Sequence, residues 1–417
     1  MKILIVNTYD SQYGASRAAY RLHRVLLEIG INSLMLVQIK RTDDHTVIPV
    51  YDENNKIQKA LAMIRPTLDQ IPVMFYKNRT KTLFSPSWLP FSKAVKKINE
   101  INPDIVHLHW ITDGMLKIED IDKIKKPILW TLHDNWAFTG GCHIKWDCEN
   151  YINICGNCPR LGSNKDNDLS KKVFLRKKRI FNKKNIVIVG PSSWIANLSK
   201  RSALLRDKKH YIIPNPIDTN LFKPINKEYA RYLWNLPQDK KLILFGAINA
   251  TTDINKGFKE LTDALKLLTL KDIELVVFGS SKPKNAPDFG FKTHYLGHLG
   301  DDVSLVTLYN AVDVVVVPSL QENLSNTIME SLSCGTPVVA FDVGGNRDMI
   351  EHMINGYLAK PFDPEDLAKG IEWVLNAPNY DELCKNAREK VVREFDSIVV
   401  AKKYVELYKE LLNDNLK

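Results

Sequence analysis

At 417 residues, with 44% hydrophobic and 25% charged side chains, the chain is globular in composition and too long for one ordinary core, so two domains are expected. No apolar run reaches the roughly 20 residues that span a bilayer as a helix, and Met1 to Val6 lack the features of a secretion signal, which excludes a helical membrane protein and points to the cytoplasm. A net charge of +10, from 58 Lys and Arg against 48 Asp and Glu, suits an anionic partner such as a nucleotide, a lipid phosphate or a membrane surface. No nucleic-acid recognition module is visible.

The first expected strand, Ile3–Asn7, leads into Tyr13-Gly14-Ala15-Ser16-Arg17. Small residues between a strand and a helix let a ligand approach the backbone closely, and Arg17 can reach a phosphate; a plain turn is the other reading. Further short apolar runs follow at Ser33–Gln38, Asp104–His109, Pro127–Leu132, Ile186–Gly190 and Tyr211–Ile213, separated by helical patterns. This alternation is the signature of βαβ units, and runs that are apolar throughout belong to strands covered on both faces. His107 and His109 fall on one face of their strand. His133 and Asp134 come just after Leu132, where a strand end delivers them to a ligand-facing edge. Such a histidine can donate to a sugar hydroxyl or stabilise developing charge; a structural, hydrogen-bonded histidine is the alternative for each.

Cys142, Cys148, Cys155 and Cys158 cluster next, the last pair in Cys-x-x-Cys spacing. A structural zinc site, free thiols and disulfides all stay open, a reducing compartment weighing against the last. The basic run from Lys171 to Lys184 is interrupted by Val173, Phe174, Ile180 and Phe181 at near-helical spacing. It reads either as an interfacial helix touching an anionic membrane or as a helix with one face packed on its own domain. Pro214, Pro216 and Pro224 mark an ordered linker. The expected domains are therefore 1–220 and 221–396, followed by a closing helix, 397–417. That helix carries Val399, Val400, Tyr404, Leu407, Tyr408 and Leu411 on one face and is expected to pack back on the N-terminal domain.

The second half repeats the pattern at Leu242–Gly246, Glu274–Gly279, His294–Gly297, Asp313–Pro318 and Pro337–Phe341. The fold class is α/β, with two doubly wound parallel sheets facing each other across a cleft at the carboxyl ends of their strands. Lys256, in Asn255-Lys256-Gly257 after the first of these strands, places a compact charge suited to phosphate at a helix start. The loop after Pro318 carries Glu322, Leu324, Ser325 and Asn326 into a helix beginning near Ser325 or Asn326, with Glu330 inside it and Gly335 as the stop. A helix N-terminus is a ready anion site, and flanking carboxylates can accept from sugar hydroxyls. The bland alternative has Glu322 capping the helix and Glu330 exposed.

Glu322 and Glu330, followed by Ser331 to Ala340 with its Cys334-Gly335-Thr336-Pro337-Val338-Val339 tail, resemble the retaining GT-B glycosyltransferases of the GT4 family. The resemblance implies that Glu322 contacts the donor sugar, Glu330 the nucleotide ribose, and the backbone around Leu324, Ser325 and Asn326 the pyrophosphate. It also implies a pyrophosphate role for Lys256, a loop at Gly14, Ala15 and Ser16 bordering donor and acceptor, and a place for His133 near the anomeric centre. His109 competes for that place. The family's usual arginine is missing from Ala247–Thr252, where Asn249 or Thr251 is the substitute. The cysteine-rich loop is similar to that of bacterial polysaccharide-assembly members of the colanic-acid group.

The same resemblance implies a retaining, metal-independent transferase needing no catalytic cofactor. It would take a nucleotide-diphosphate sugar as donor and a saccharide or polyprenyl-linked saccharide as acceptor, at the inner face of the membrane. Alternatives are a sugar-nucleotide epimerase or hydrolase of the same fold, or a non-catalytic sugar-nucleotide-binding relative.

Overall fold

A computed structural model describes residues 1–246, 253–279, 281–282 and 288–414. The chain divides into two compact units, Met1–Asn215 with Val400–Lys417, and Pro216–Val399. The first unit contains β1 (Lys2–Tyr9), β2 (Asn32–Ile39), β3 (Val47–Pro49), β4 (Ile105–Leu108), β5 (Ile128–Thr131), β6 (Ile186–Gly190) and β7 (His210–Ile212). They form one seven-stranded sheet in the order β3-β2-β1-β4-β5-β6-β7. The second unit contains β8 (Lys241–Gly246), β9 (Ile273–Phe278), β10 (Thr293–Tyr295), β11 (Val314–Val317), β12 (Val338–Phe341) and β13 (Gly356–Ala359). These make a six-stranded sheet ordered β10-β9-β8-β11-β12-β13. Pairing is parallel in both sheets.

Each order runs outward in both directions from its first strand, so each sheet has a topological switch point, at β1/β4 and at β8/β11. In open α/β sheets that is where a crevice forms beyond the strand ends. The central strands β4, β5, β8, β11 and β12 are largely apolar because both faces are covered. In β8, Leu242 and Leu244 pack into one core cluster while Ile243 and Phe245 pack into another. Two strands are absent from the sequence-based expectation: β3, three residues ending in Pro49, and β13, four residues beginning with Gly356, both at sheet edges.

The helix Leu169–Phe181 buries Val173, Phe174, Ile180 and Phe181. The apolar residues that interrupt the basic run therefore belong to the core and are not free to meet lipid. Lys177 is buried with them. Its Nζ donates to the carbonyls of Trp136 and Thr139 and lies 3.6 Å from the centre of the Trp136 ring. Burial lowers its ammonium to about 7. The helix Ser397–Asp414 places Tyr404 and Tyr408 in the N-terminal unit, where they hydrogen-bond Thr131 and His107.

Candidate functional site

In the C-terminal unit, the loops that follow the switch-point strands β8 and β11 converge. Residues 247–252 after β8, with Asn249 and Thr251, lie outside the described residues. A short 3-10 turn, Ile254–Lys256, then begins on Asp253, whose side chain accepts from Asn255 N. Gly257 follows at φ 67° and opens the helix Phe258–Leu265. A Cβ there would stand 1.9 Å from the Pro318 carbonyl, so only glycine lets the turn press against the end of β11.

Asn255 locks the two loops together. Its Nδ2 donates to Gln321 O at 2.8 Å, its Oδ1 accepts from Gln321 N at 3.0 Å, and its own carbonyl accepts from Leu320 N at 2.9 Å. The result is a Lys256 Nζ to Glu322 Oε2 pair at 3.3 Å, both side chains partly exposed. Glu322 raises the pKa of the Lys256 ammonium above its ordinary value, against the opposing effect of burial. From the other side, Gly344 at φ 57° meets the Glu322 backbone: a Cβ would lie 1.7 Å from Glu322 O, which accepts from Gly345 N at 3.2 Å.

The helix Asn326–Ser333 starts four residues after Glu322, with Ser325 as N-cap accepting from Ile328 N. Its first-turn N–H groups have no acceptor within the helix, so Lys256 and a helix N-terminus share one loop system. Leu324 and Ser325 are buried, and Asn326 is partly exposed. Glu330 is 2% exposed and accepts from the Tyr309 hydroxyl at 3.0 Å. That overturns the reading of Glu330 as a surface residue.

In the N-terminal unit the switch point is stitched by Asn7, fully buried at the β1 end. Its Nδ2 donates to Tyr9 O and Ser16 Oγ, and its Oδ1 accepts from Trp110 N at 2.8 Å. Ser16 is thereby committed to the fold, while Gly14 is exposed and Ala15 and Arg17 are partly so. Past β5, His133 Nε2 lies 2.8 Å from His109 Nδ1, the two rings stacked. His107 is fully buried and turns the other way, to Tyr408 OH and Thr131 Oγ1, both at 2.8 Å.

Burial lowers His107 to about 3 and His133 to about 4, and holds His109 well below its ordinary value, so all three imidazoles are neutral at neutral pH. His109 Nε2 is buried with no hydrogen-bond partner among the described residues. An orphaned N–H costs more than an unfilled lone pair, so the His109 proton belongs on Nδ1, donating to His133 Nε2. His133 then carries its own proton on Nδ1, as a neutral donor.

Asp134 organises the following loop. Its Oδ2 accepts from Trp110 Nε1 and His143 Nδ1, each at 2.6 Å, and its Oδ1 from Trp136 N at 2.8 Å. Burial pushes this carboxyl up, but His143 and these donors outweigh it and keep it below the usual range. With both oxygens engaged, Asp134 is a positioning group. Sequence reasoning missed its partners; the signal was present, since His143 stands beside Cys142 in the cysteine-rich loop.

The cysteines are free thiols in this structure. Cys155 packs in the main core and Cys142 with Cys158 in a satellite cluster, and burial pushes the Cys142 thiol up to about 12. Among the described residues no three Cys, His, Asp or Glu side chains are placed to share a metal ion.

Comparison with known proteins adds a second line. Residues 14–221 match the Glycosyltransferase Family 4 domain and residues 239–377 the domain named Glycosyl transferases group 1. The chain spans about half the length of several curated relatives. One is the uncharacterized glycosyltransferase MJ1607 of Methanocaldococcus jannaschii, 31% identical over 48% of this chain and 52% of that one. The putative colanic acid biosynthesis glycosyl transferase WcaC of Escherichia coli K12 is 25% identical over 84% of this chain and 85% of its own. Anabaena HepE, solved in complex with UDP-glucose, matches with a TM-score of 0.67 at 16% identity, over 98% of this chain and 100% of that one. The fold is of the GT-B class, built from two Rossmann-like domains.

Proposed function

Because the chain carries a family 4 glycosyltransferase domain followed by a group 1 glycosyl transferase domain, we propose that it is a retaining, metal-independent glycosyltransferase of surface-polysaccharide assembly. Its donor is a nucleoside-diphosphate sugar and its acceptor a saccharide or polyprenyl-linked saccharide. The observation that carries the reading is the Lys256–Glu322 pair at 3.3 Å on the loop leading into the helix Asn326–Ser333.

The chemistry rests on that pair. When the bond from the sugar's anomeric carbon to the diphosphate breaks, negative charge accumulates on the departing diphosphate. The Lys256 ammonium and the first-turn N–H groups around Ser325 and Asn326 are fixed positive groups that stabilise it, with little reorganisation during the step. Glu322, paired to the same lysine, accepts from hydroxyls of the transferred sugar. Glu330 serves the ribose through its place on the same helix, with Tyr309 orienting it. In the N-terminal unit, His133 is the neutral donor assigned to the sugar, and Gly14 and Ala15 leave the backbone accessible to substrate. The UDP-glucose bound by HepE favours uridine as the base, and the relation to WcaC favours a polysaccharide acceptor.

The test is nucleotide release from UDP-, GDP- and ADP-sugars, with and without lipid-linked saccharide acceptors. The proposal expects release from one donor class, dependent on acceptor. Release at the same rate with no acceptor makes the chain a hydrolase, conversion of the donor into another sugar nucleotide makes it an epimerase, and donor binding without turnover across the panel makes it a binding protein.

A further inference from the structure

Carboxylates outnumber cations on the two loops assigned to the diphosphate. From Ala247 to Gly257 the chain carries one cation, Lys256, and one acid, Asp253. From Pro318 to Asn326 it carries one acid, Glu322, and no cation. The adjoining glycine loop adds Arg347, but Asp342 accepts from its Nε and Nη2 at 3.0 and 2.7 Å. Lys256 Nζ lies 3.3 Å from Glu322 Oε2, and Asp253 acts on the same ammonium from its own turn.

The backbone under this pair is clamped. Asn255 binds both backbone groups of Gln321, and Gly345 N donates to the Glu322 carbonyl at 3.2 Å, with Gly344 packed against it. The Glu322 carboxylate therefore stays within reach of Lys256, and any anion that comes to the lysine meets that carboxylate beside it.

The two anions of the reaction differ in charge. A diphosphate esterified at both ends carries about two negative charges. Once the sugar has left, the terminal phosphate ionises again near neutral pH and the total approaches about three. They also differ in what they offer Glu322: the sugar nucleotide brings hydroxyl donors, and the sugar-free nucleotide brings only more negative charge.

We propose that Glu322 discriminates between the loaded donor and the sugar-free nucleotide. Sugar hydroxyls occupy its carboxylate and leave Lys256 to the diphosphate. After transfer the carboxylate reclaims the lysine, so the free nucleoside diphosphate is held weakly and departs. Like charge across a shared lysine supplies the discrimination, because close charges in a partly closed site are weakly screened. The inference rests on the donor reading of these loops given above.

The test is titration calorimetry of UDP-, GDP- and ADP-glucose, each against its own free nucleotide, using the pair that binds the parent chain. Glu322→Gln removes the charge and keeps the shape. It should bind the free nucleotide at least about tenfold tighter, while the sugar nucleotide gains less or weakens. Glu322→Ala, which adds no donor, should show a similar gain for the free nucleotide. Added salt should shrink both gains. Both variants should keep the parent melting temperature, since the pair is partly exposed. Unchanged or weaker affinity for the free nucleotide in both variants, with the sugar nucleotide still bound by the parent, overturns the inference and leaves the donor reading standing. Equal tightening for both ligands overturns it too, as does a gain in Glu322→Gln alone, which belongs to the new amide donor. Failure of every pair to bind the parent overturns the donor reading and this inference together.

Discussion

The two switch points of this chain are built from opposite materials. In the C-terminal unit the functional groups are charged and partly open: a lysine and a glutamate held 3.3 Å apart by the side-chain contacts of Asn255 and the close backbone packing of Gly257 and Gly344. In the N-terminal unit the histidines are neutral and mostly buried, and the carboxylate beside them, Asp134, is saturated by donors. His107, His109 and His133 are kept uncharged by burial. On the proposed function the difference is a division of labour. A diphosphate needs fixed positive charge, whereas sugar hydroxyls are recognised by neutral donors and acceptors whose orientation is set in advance.

The contrast breaks most sharply at its tightest contact. Gly344→Ala places a Cβ where the Glu322 carbonyl already sits and forces a left-handed backbone on alanine. It should cost about 3 kcal/mol or more and displace Glu322, read as a lowered denaturation midpoint together with weaker donor binding. Parent-like values for both would mean the loop relaxes freely and does not position Glu322.

Acid should separate the two units. A histidine whose folded pKa lies below its unfolded one binds fewer protons when folded, so its contribution to stability is lost as pH falls from the unfolded value toward the folded one. His23, buried on the helix Gly14–Glu28 of the N-terminal unit, and His133 drop from 6.5 to about 4 and His107 to about 3, so the loss begins below about pH 6.5. Each such group changes stability by up to about 1.4 kcal/mol per pH unit in that window. Hydrogen exchange at about pH 5 should therefore show protection falling first around β4 and β5. Uniform loss across both sheets would contradict the contrast between the units.

A smaller effect tests the support behind the histidines. Tyr408→Phe leaves His107 Nδ1 without its 2.8 Å partner and should lower stability by about 1–3 kcal/mol, seen in the urea midpoint. An unchanged midpoint would show that the closing helix does not stabilise the histidine cluster.

The central strands were readable because burial on both faces writes apolar runs such as Ile3–Asn7 and Asp313–Pro318. Edge strands β3 and β13 were missed because Pro49 ends the one and Gly356 opens the other, residues that break an apolar run. Residue types at strand ends pointed to Lys256, Glu322 and His133, since chemistry collects there. Their supports were not readable. Nothing in the local sequence shows that Asn255 spans to Gln321, that Asn7 reaches Trp110, or that Tyr309 meets Glu330, because each contact joins segments far apart in the chain. Burial of Glu330 has the same cause: its neighbours come from other elements.

The proposed function centres donor binding on a diphosphate held by Lys256. Titration calorimetry of UDP-glucose against the parent chain and Lys256→Ala measures this directly. Losing a charge-assisted phosphate contact of about 2–3 kcal/mol predicts affinity weaker by about 30–150-fold, with the melting temperature of the free protein little changed. Equal affinity in the two proteins would contradict it.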